Sequence, residues 1–198
     1  MFRSPADDGG MEPDVIVLNG GSSSGKSSLG HALQGVLDGV WLRLTVDTLI
    51  DACPPALLSA GGLDIAEDGA IDVGARFTAV ELSWMAGVAA IVRAGTHVIV
   101  EDSFLSGPSA QQRWRYALAS LDVVWVGVRL APELARERER LRGDRNVGMA
   151  ELQAASVHEG IVYDIEIDTS RGTPAELAEE LSTRVHAFIP ASGMGHEA

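Results

Sequence analysis

The stretch Val15-Ile16-Val17-Leu18-Asn19-Gly20-Gly21-Ser22-Ser23-Ser24-Gly25-Lys26-Ser27-Ser28-Leu29 decides how the rest of the chain is read. An apolar run of strand type feeds the full G-x-x-x-x-G-K-S spacing, and helix-compatible residues follow it, which is the context that gives this motif its meaning. It reads as a phosphate cradle. Gly20 and Gly25 let the backbone turn so that successive N–H groups face anionic oxygens, and the following helix offers the positive end of its dipole to the same place. On this reading Gly20, Gly21, Ser22, Ser23, Ser24, Gly25, Lys26, Ser27 and Ser28 hold the phosphates of a nucleotide. Lys26 reaches the terminal ones, and Ser27 offers its hydroxyl to Mg²⁺, whose octahedral oxygen preference suits a serine, phosphate oxygens and waters. A Gly/Ser run can also be a flexible linker, but a linker needs neither Lys-Ser after its last glycine nor a buried-type strand before its first. Lys26 is the only lysine in the chain, which excludes an Asn-Lys-x-Asp guanine signature and makes ATP the expected nucleotide.

The 198 residues are 46% hydrophobic and carry no repeat, which predicts one domain with a single core. That domain is expected over residues 14–189, between a polar, disordered extension at 1–13 and a disordered tail at 190–198. No apolar run reaches membrane-spanning length and the N-terminus lacks a secretory h-region, so a cytoplasmic protein without a membrane partner is expected. A net charge of −13 argues against nucleic acid as a partner, because binding it requires a basic field. The lone Cys53 cannot close an internal disulfide. Oligomeric state stays open, a homo-oligomer included.

Apolar runs and helical stripes alternate along the chain. Strands are expected at Val15 to Leu18, Val40 to Val46, His97 to Asp102, Leu121 to Val128 and Tyr163 to Ile167. Helices are expected from Lys26 to Leu37, Ala75 to Arg93, Pro108 to Ser120, Pro132 to Arg142, Met149 to Glu159 and Pro174 to Phe188. The long helix carries Phe77, Val80, Trp84, Val88 and Ile91 as its apolar stripe. A small hairpin with an Asp68-Gly69 turn is expected between Ser59 and Gly74. Strands alternating with helices predict parallel βαβ units and a doubly wound sheet, with ligands at the carboxyl ends of its strands.

Those ends carry the remaining candidates. Phosphoryl transfer needs positioned phosphates, a metal, charge neutralisation and a group that orients the acceptor hydroxyl. Asp102, closing its strand, is the favoured Mg²⁺ carboxylate. Its neighbour Glu101 falls on the opposite face by strand alternation. Asp47, at the end of the strand after the cradle, is the candidate general base, although an aspartate before a helix can also be a plain N-cap. Arg138 and Arg142 share a helix face and Arg145 follows in a glycine turn. These three can clamp phosphoryl oxygens, or belong to a solvated helix held by Glu133, Glu137 and Glu139.

The motifs together resemble a known family, the chloramphenicol phosphotransferases, within the nucleoside-monophosphate-kinase-like P-loop kinases. The resemblance rests on Leu18-Asn19-Gly20-Gly21-Ser22-Ser23, Val46-Asp47, Gln112-Arg113-Trp114-Arg115, Trp125-Val126-Gly127-Val128-Arg129, Arg142-Gly143-Asp144-Arg145, and Val157-His158-Glu159-Gly160 followed by Tyr163-Asp164. It implies an α/β, three-layer P-loop kinase fold with a five-stranded parallel sheet and an arginine-bearing lid at about 132–149. It also implies ATP-dependent phosphorylation of an antibiotic hydroxyl, with Asp47 as base, Lys26 and Ser27 as the phosphate-loop pair, and Arg138, Arg142 and Arg145 in the lid. Asp168-Thr169 resembles the loop that borders adenine in related kinases. Departures fall on the acceptor side: Thr45 replaces the family's glycine before Val-Asp, Glu101 replaces the first carboxylate of an Asp-Asp pair, and Ser59 to Arg76 differs. They leave room for another acceptor, such as a capuramycin-like nucleoside with Arg76 as a contact. A metabolic small-molecule kinase and a non-catalytic nucleotide-binding regulator are the competing readings.

Overall fold

β1 (Val15–Asn19) is the middle strand of a five-stranded parallel sheet and is buried at every position. The computed structural model describes residues 12–58, 61–65, 71–142 and 149–188. The sheet runs β2-β5-β1-β6-β7, with β2 (Trp41–Thr45), β5 (His97–Asp102), β6 (Val123–Arg129) and β7 (Ile165–Asp168). Every neighbouring pair is parallel, so each connection crosses a face of the sheet. The two faces sort by residue parity. Ile16 and Leu18 join Leu29 and Leu33 of α1 (Lys26–Leu33) and Leu177, Leu181 and Val185 of α7 (Pro174–Ala187). Val15 and Val17 join Met85 and Val88 of α3 (Ala75–Arg93) and Trp114 of α4 (Pro108–Ala117). This is the expected three-layer P-loop kinase architecture.

Several elements end where local chemistry stops them. α1 closes at Leu33 rather than Leu37, and the chain continues as turns in which the N–H groups of Gly35 and Val36 reach back to Ala32 and Leu33. β2 stops at Thr45, whose hydroxyl accepts the Thr48 N–H at 3.0 Å and caps α2 (Val46–Ala52). Asp47 therefore lies in the first turn of that helix instead of closing the strand. β7 starts late because the Asp164 carboxylate takes the Trp125 N–H at 2.8 Å in place of a backbone partner.

α3 buries Phe77, Glu81, Met85, Val88 and Val92, a line rotated from the expected stripe so that Val80, Trp84 and Ile91 flank it. Contrary to the expectation that no run is long enough, α3 meets the length and apolarity of a membrane span. Met85, Val88 and Val92 of its buried line pack against β1 and β5. The hairpin β3 (Leu63–Ile65) with β4 (Ile71–Val73) is antiparallel, and its Asp68-Gly69 turn lies outside the described residues. Leu49, Leu57, Leu63 and Phe77 form a small separate core beneath it. The stretch expected as a lid, about 132–149, falls on α5 (Pro132–Arg142), which packs as an α-hairpin against α6 (Met149–Ser156) through Leu130, Ala135 and Ala150. Arg145 and the side chain of Arg142 lie outside the described residues, as do residues 1–11 and 189–198. Glu12 and Pro13, from the expected extension, meet His186 and His97.

Candidate active site

The loop from Gly20 to Ser27 joins β1 to α1 and can exist only with glycine at its ends. A Cβ on Gly20 would fall 2.5 Å from the Val128 carbonyl oxygen, and Gly25 has a φ of 91° as the residue before α1. Ser23 is also left-handed, with a φ of 57°, a conformation that concentrates at ligand clamps. The hydroxyls of Ser22, Ser23 and Ser24 are buried without a hydrogen-bond partner. Three such donors on a loop with a helix N-terminus behind it fit a polyphosphate. Lys26 folds back over the loop, its Nζ donating to the carbonyls of Gly20 and Gly21 and to Ser103 Oγ.

The two carboxylates that end β5 divide as alternation requires, with the opposite assignment to the one expected. Glu101 shares the parity of Ile99 and faces α1, where its Oε2 accepts from Ser27 Oγ at 2.8 Å and its Oε1 from Arg43 Nη1 at 2.8 Å. Asp102 shares the parity of Val98 and Val100 and turns to the α3–α4 side. It accepts from the N–H groups of Ser103 and Phe104 and from Trp114 Nε1 at 2.7 Å. Burial pushes its carboxyl above the usual range while those three donors draw it down. Asp102 thus organises the turn after β5. Glu101 is the acid beside the candidate Mg²⁺ serine, Ser27, and a hydroxyl and a carboxylate are hard oxygen donors of the kind Mg²⁺ takes.

Asp47 is exposed at the mouth of a cavity of about 80 Å³ that it lines with the loop, Lys26, Ser27, Glu101 and Ser103. Val46 also lines a narrower slot of about 20 Å³, walled by Ile50, Leu63, Phe77 and Leu105 with Glu81 and Asp102 as its acids. Glu81 is held by Arg113, whose Nη2 lies 2.7 Å from its Oε2. Burial, then the nearby Asp102 charge, raise the Glu81 carboxyl above its ordinary range. Arg76 is exposed and does not line either space.

On the other side of the loop a cavity of about 420 Å³ is lined by Ser23, Gly25, Ser28, Leu29, Leu177 and Pro174, among others. Arg138 of α5 covers it. Its guanidinium donates to Thr169 Oγ1 at 3.1 Å and Thr169 O at 2.9 Å, and a Cβ on Gly25 would lie 3.3 Å from its Nη1. Thr169 Oγ1 in turn donates to the Ser24 carbonyl at 2.6 Å. Of the pair expected to border adenine, Thr169 lines this cavity and Asp168 does not. The Asp168 carboxylate caps its own turn by accepting from the Ser170 N–H and hydroxyl, which hold it below the usual range. Sequence reasoning missed Ser103 on Lys26, Arg43 on Glu101, and Gln153, whose Oε1 accepts the Ser22 N–H at 2.7 Å. Only the lysine and the glycines could have announced a site, because these three partners come from remote segments.

A phosphate loop at the end of β1, a strand-end acid beside its serine and an arginine-bearing hairpin above it define a P-loop kinase. Residues 13–186 match the family described as chloramphenicol phosphotransferase-like protein, and the chain belongs to that family. The Mycobacterium tuberculosis protein Rv2636, whose O-phosphotransferase name is itself provisional, is 31% identical over 193 residues, covering 91% of this chain and 85% of that protein. Among solved structures, a sugar kinase from Janibacter sp. HTCC2649 superposes with a TM-score of 0.65 at 19% identity, covering 86% of this chain and 93% of that one. The Deinococcus radiodurans tunicamycin resistance protein does so with a TM-score of 0.62 at 21% identity, covering 88% and 96%. The protein is a nucleotide-using small-molecule phosphotransferase.

Proposed function

We propose that the protein transfers the γ-phosphoryl group of Mg·ATP to a hydroxyl of an uncharged, amphiphilic antibiotic. The observation that carries this is the shared cavity of Lys26, Ser27, Glu101 and Asp47; Val46 lines both it and a largely apolar slot whose charged side chains, among the described residues, are Glu81 and Asp102. Asp47 takes the acceptor proton as the acceptor oxygen forms its bond to the γ-phosphorus. The bond from that phosphorus to the β,γ-bridging oxygen breaks, and ADP leaves with the electron pair. Lys26 and the lid arginines Arg138, Arg142 and Arg145 meet the charge on the transferring group. Mg²⁺ held by Ser27 and Glu101 would neutralise the β- and γ-oxygens.

The acceptor slot favours an antibiotic over a sugar acid. Gluconate- or shikimate-type acceptors bring a carboxylate that needs a basic partner, and the side chains lining the slot offer Glu81 and Asp102 instead. At about 20 Å³ the slot takes no whole acceptor, but its apolar walls suit one edge of an aromatic or aliphatic body, as in chloramphenicol or a capuramycin-like nucleoside. Incubation with Mg·ATP and a panel of hydroxylated antibiotics, sugars and sugar acids, read by mass spectrometry, tests this. An antibiotic carrying one added phosphate is the expected product. Turnover of a sugar acid alone would overturn the substrate class, and nucleotide binding without any transfer would favour a regulator.

A further inference from the structure

We propose that Gln153 is a positioning residue that holds the phosphate loop in its binding shape. The inference rests on the reading of that loop as the ATP site, and it concerns a residue that touches the loop and not the chemistry. Gln153 lies on α6, is 7% exposed, and spends its side-chain oxygen on a backbone N–H that is 131 positions away in sequence. A buried N–H must find a partner, and a neutral amide oxygen supplies one without bringing charge toward the phosphates. The backbone is seated as closely as the side chain. A Cβ on Gly21 would fall 3.0 Å from both Ala154 N and Gln153 C, so the first half of the loop lies directly on α6.

α6 itself is anchored at both ends. Its first turn is fixed by Ala150 N–H donating to Glu139 Oε1 at 2.9 Å. Just past its last turn the Val157 carbonyl accepts from Asn19 Nδ2 at 2.8 Å, which ties it to the end of β1. Asn19 also donates to the Tyr163 hydroxyl, which lies 2.7 Å from His158 Nδ1. A helix pinned this way belongs to the static body, so Gln153 is a fixed post and not a plug that swings aside for phosphate. The second half of the loop is held separately, at the Ser24 carbonyl, by Thr169. With both halves fixed, the unpartnered hydroxyls of Ser22, Ser23 and Ser24 stand ready before the nucleotide arrives, and less ordering is left to oppose binding.

Calorimetric ADP binding in the presence of Mg²⁺, with amide hydrogen exchange at Ser22, tests the assignment on the full chain. Gln153→Leu removes the acceptor, and Gln153→Asn keeps the polarity but shortens the reach, so it serves if the leucine variant does not fold. Each is expected to lose about 10-fold in ADP affinity, the size of one buried hydrogen bond, to raise KM for ATP more than it lowers kcat, and to speed exchange at Ser22. A packing role alone would lower Tm without this split. Affinity within twofold of the parent, tighter binding, or unchanged Ser22 exchange would overturn the proposal. Failure to find an acceptor leaves the binding measurement intact, whereas a parent that does not bind ADP overturns the nucleotide site and the role of Gln153 together.

Discussion

Glu101 and Asp102 are consecutive carboxylates with separate tasks, because a strand sends consecutive side chains to opposite faces. Glu101→Gln is expected to raise the Mg²⁺ concentration needed for half-maximal activity by about 10- to 100-fold, the usual cost of losing a support around a metal. Asp102→Asn should leave that requirement alone and lower Tm, since its oxygens hold Trp114 and two backbone N–H groups. A Mg²⁺ titration of both variants decides, and the reverse pattern would return the metal to Asp102. Asp47→Asn should retain ATP binding and lose about 10²- to 10⁴-fold in kcat, the range for acid–base groups. Equal rates for that variant and the parent would remove Asp47 from the chemistry. The loop was legible because its function is written in adjacent residues. The choice between two acids was not, because it depends on which parity faces α1, and only the register of β5 against β1 fixes that.

At the scale of elements, apolar periodicity found all five strands of the sheet, while their ends were moved by side-chain capping at Thr45 and Asp164. The stripe of α3 was displaced for a related reason. A glutamate reads as a wet residue, yet Glu81 lies in the buried line because Arg113 of α4 reaches it. The charged helix α5 admitted two readings that its sequence could not separate, since Glu133, Glu137 and Glu139 could have paired with its arginines. Arg138 departs from that picture by forking onto Thr169, and Glu139 also caps α6. A lysine cannot reproduce that fork. Arg138→Lys is expected to cost roughly 10- to 100-fold in kcat/KM for ATP, the worth of a charge-assisted hydrogen bond, with Tm nearly unchanged. Steady-state kinetics at varied ATP checks this, and a loss below twofold would leave α5 as a solvated cover.

Across the whole molecule, the order β2-β5-β1-β6-β7 gathers Thr45, Glu101, Asn19, Arg129 and Asp168 at one rim of the sheet. α6 is fastened to that rim through Asn19, Tyr163 and His158, and this fastening depends on pH. Burial first, then the Arg129 charge, lower the His158 imidazole to about 4. Lys26 adds to that and Glu166 opposes it, while Tyr163, itself pushed up to about 12 by burial, stays protonated to serve His158 Nδ1. A histidine held below its ordinary 6.5 is neutral in the folded chain where the unfolded chain already binds a proton. Its stabilising contribution is complete above about 6.5 and is lost as pH falls toward about 4. Asp102 and Glu81, raised by burial, contribute with the opposite sign as pH falls. The comparison must therefore be internal. His158→Gln keeps an acceptor for Tyr163 but cannot titrate, so between pH 7 and pH 4.5 the Tm of the parent should fall more steeply than that of the variant. Because α6 carries Gln153, ADP affinity should weaken over the same window in the parent and less in the variant. Parallel Tm curves would mean that His158 takes up its proton in the fold over the same pH range as in the unfolded chain, and that the pin on α6 does not depend on its neutrality.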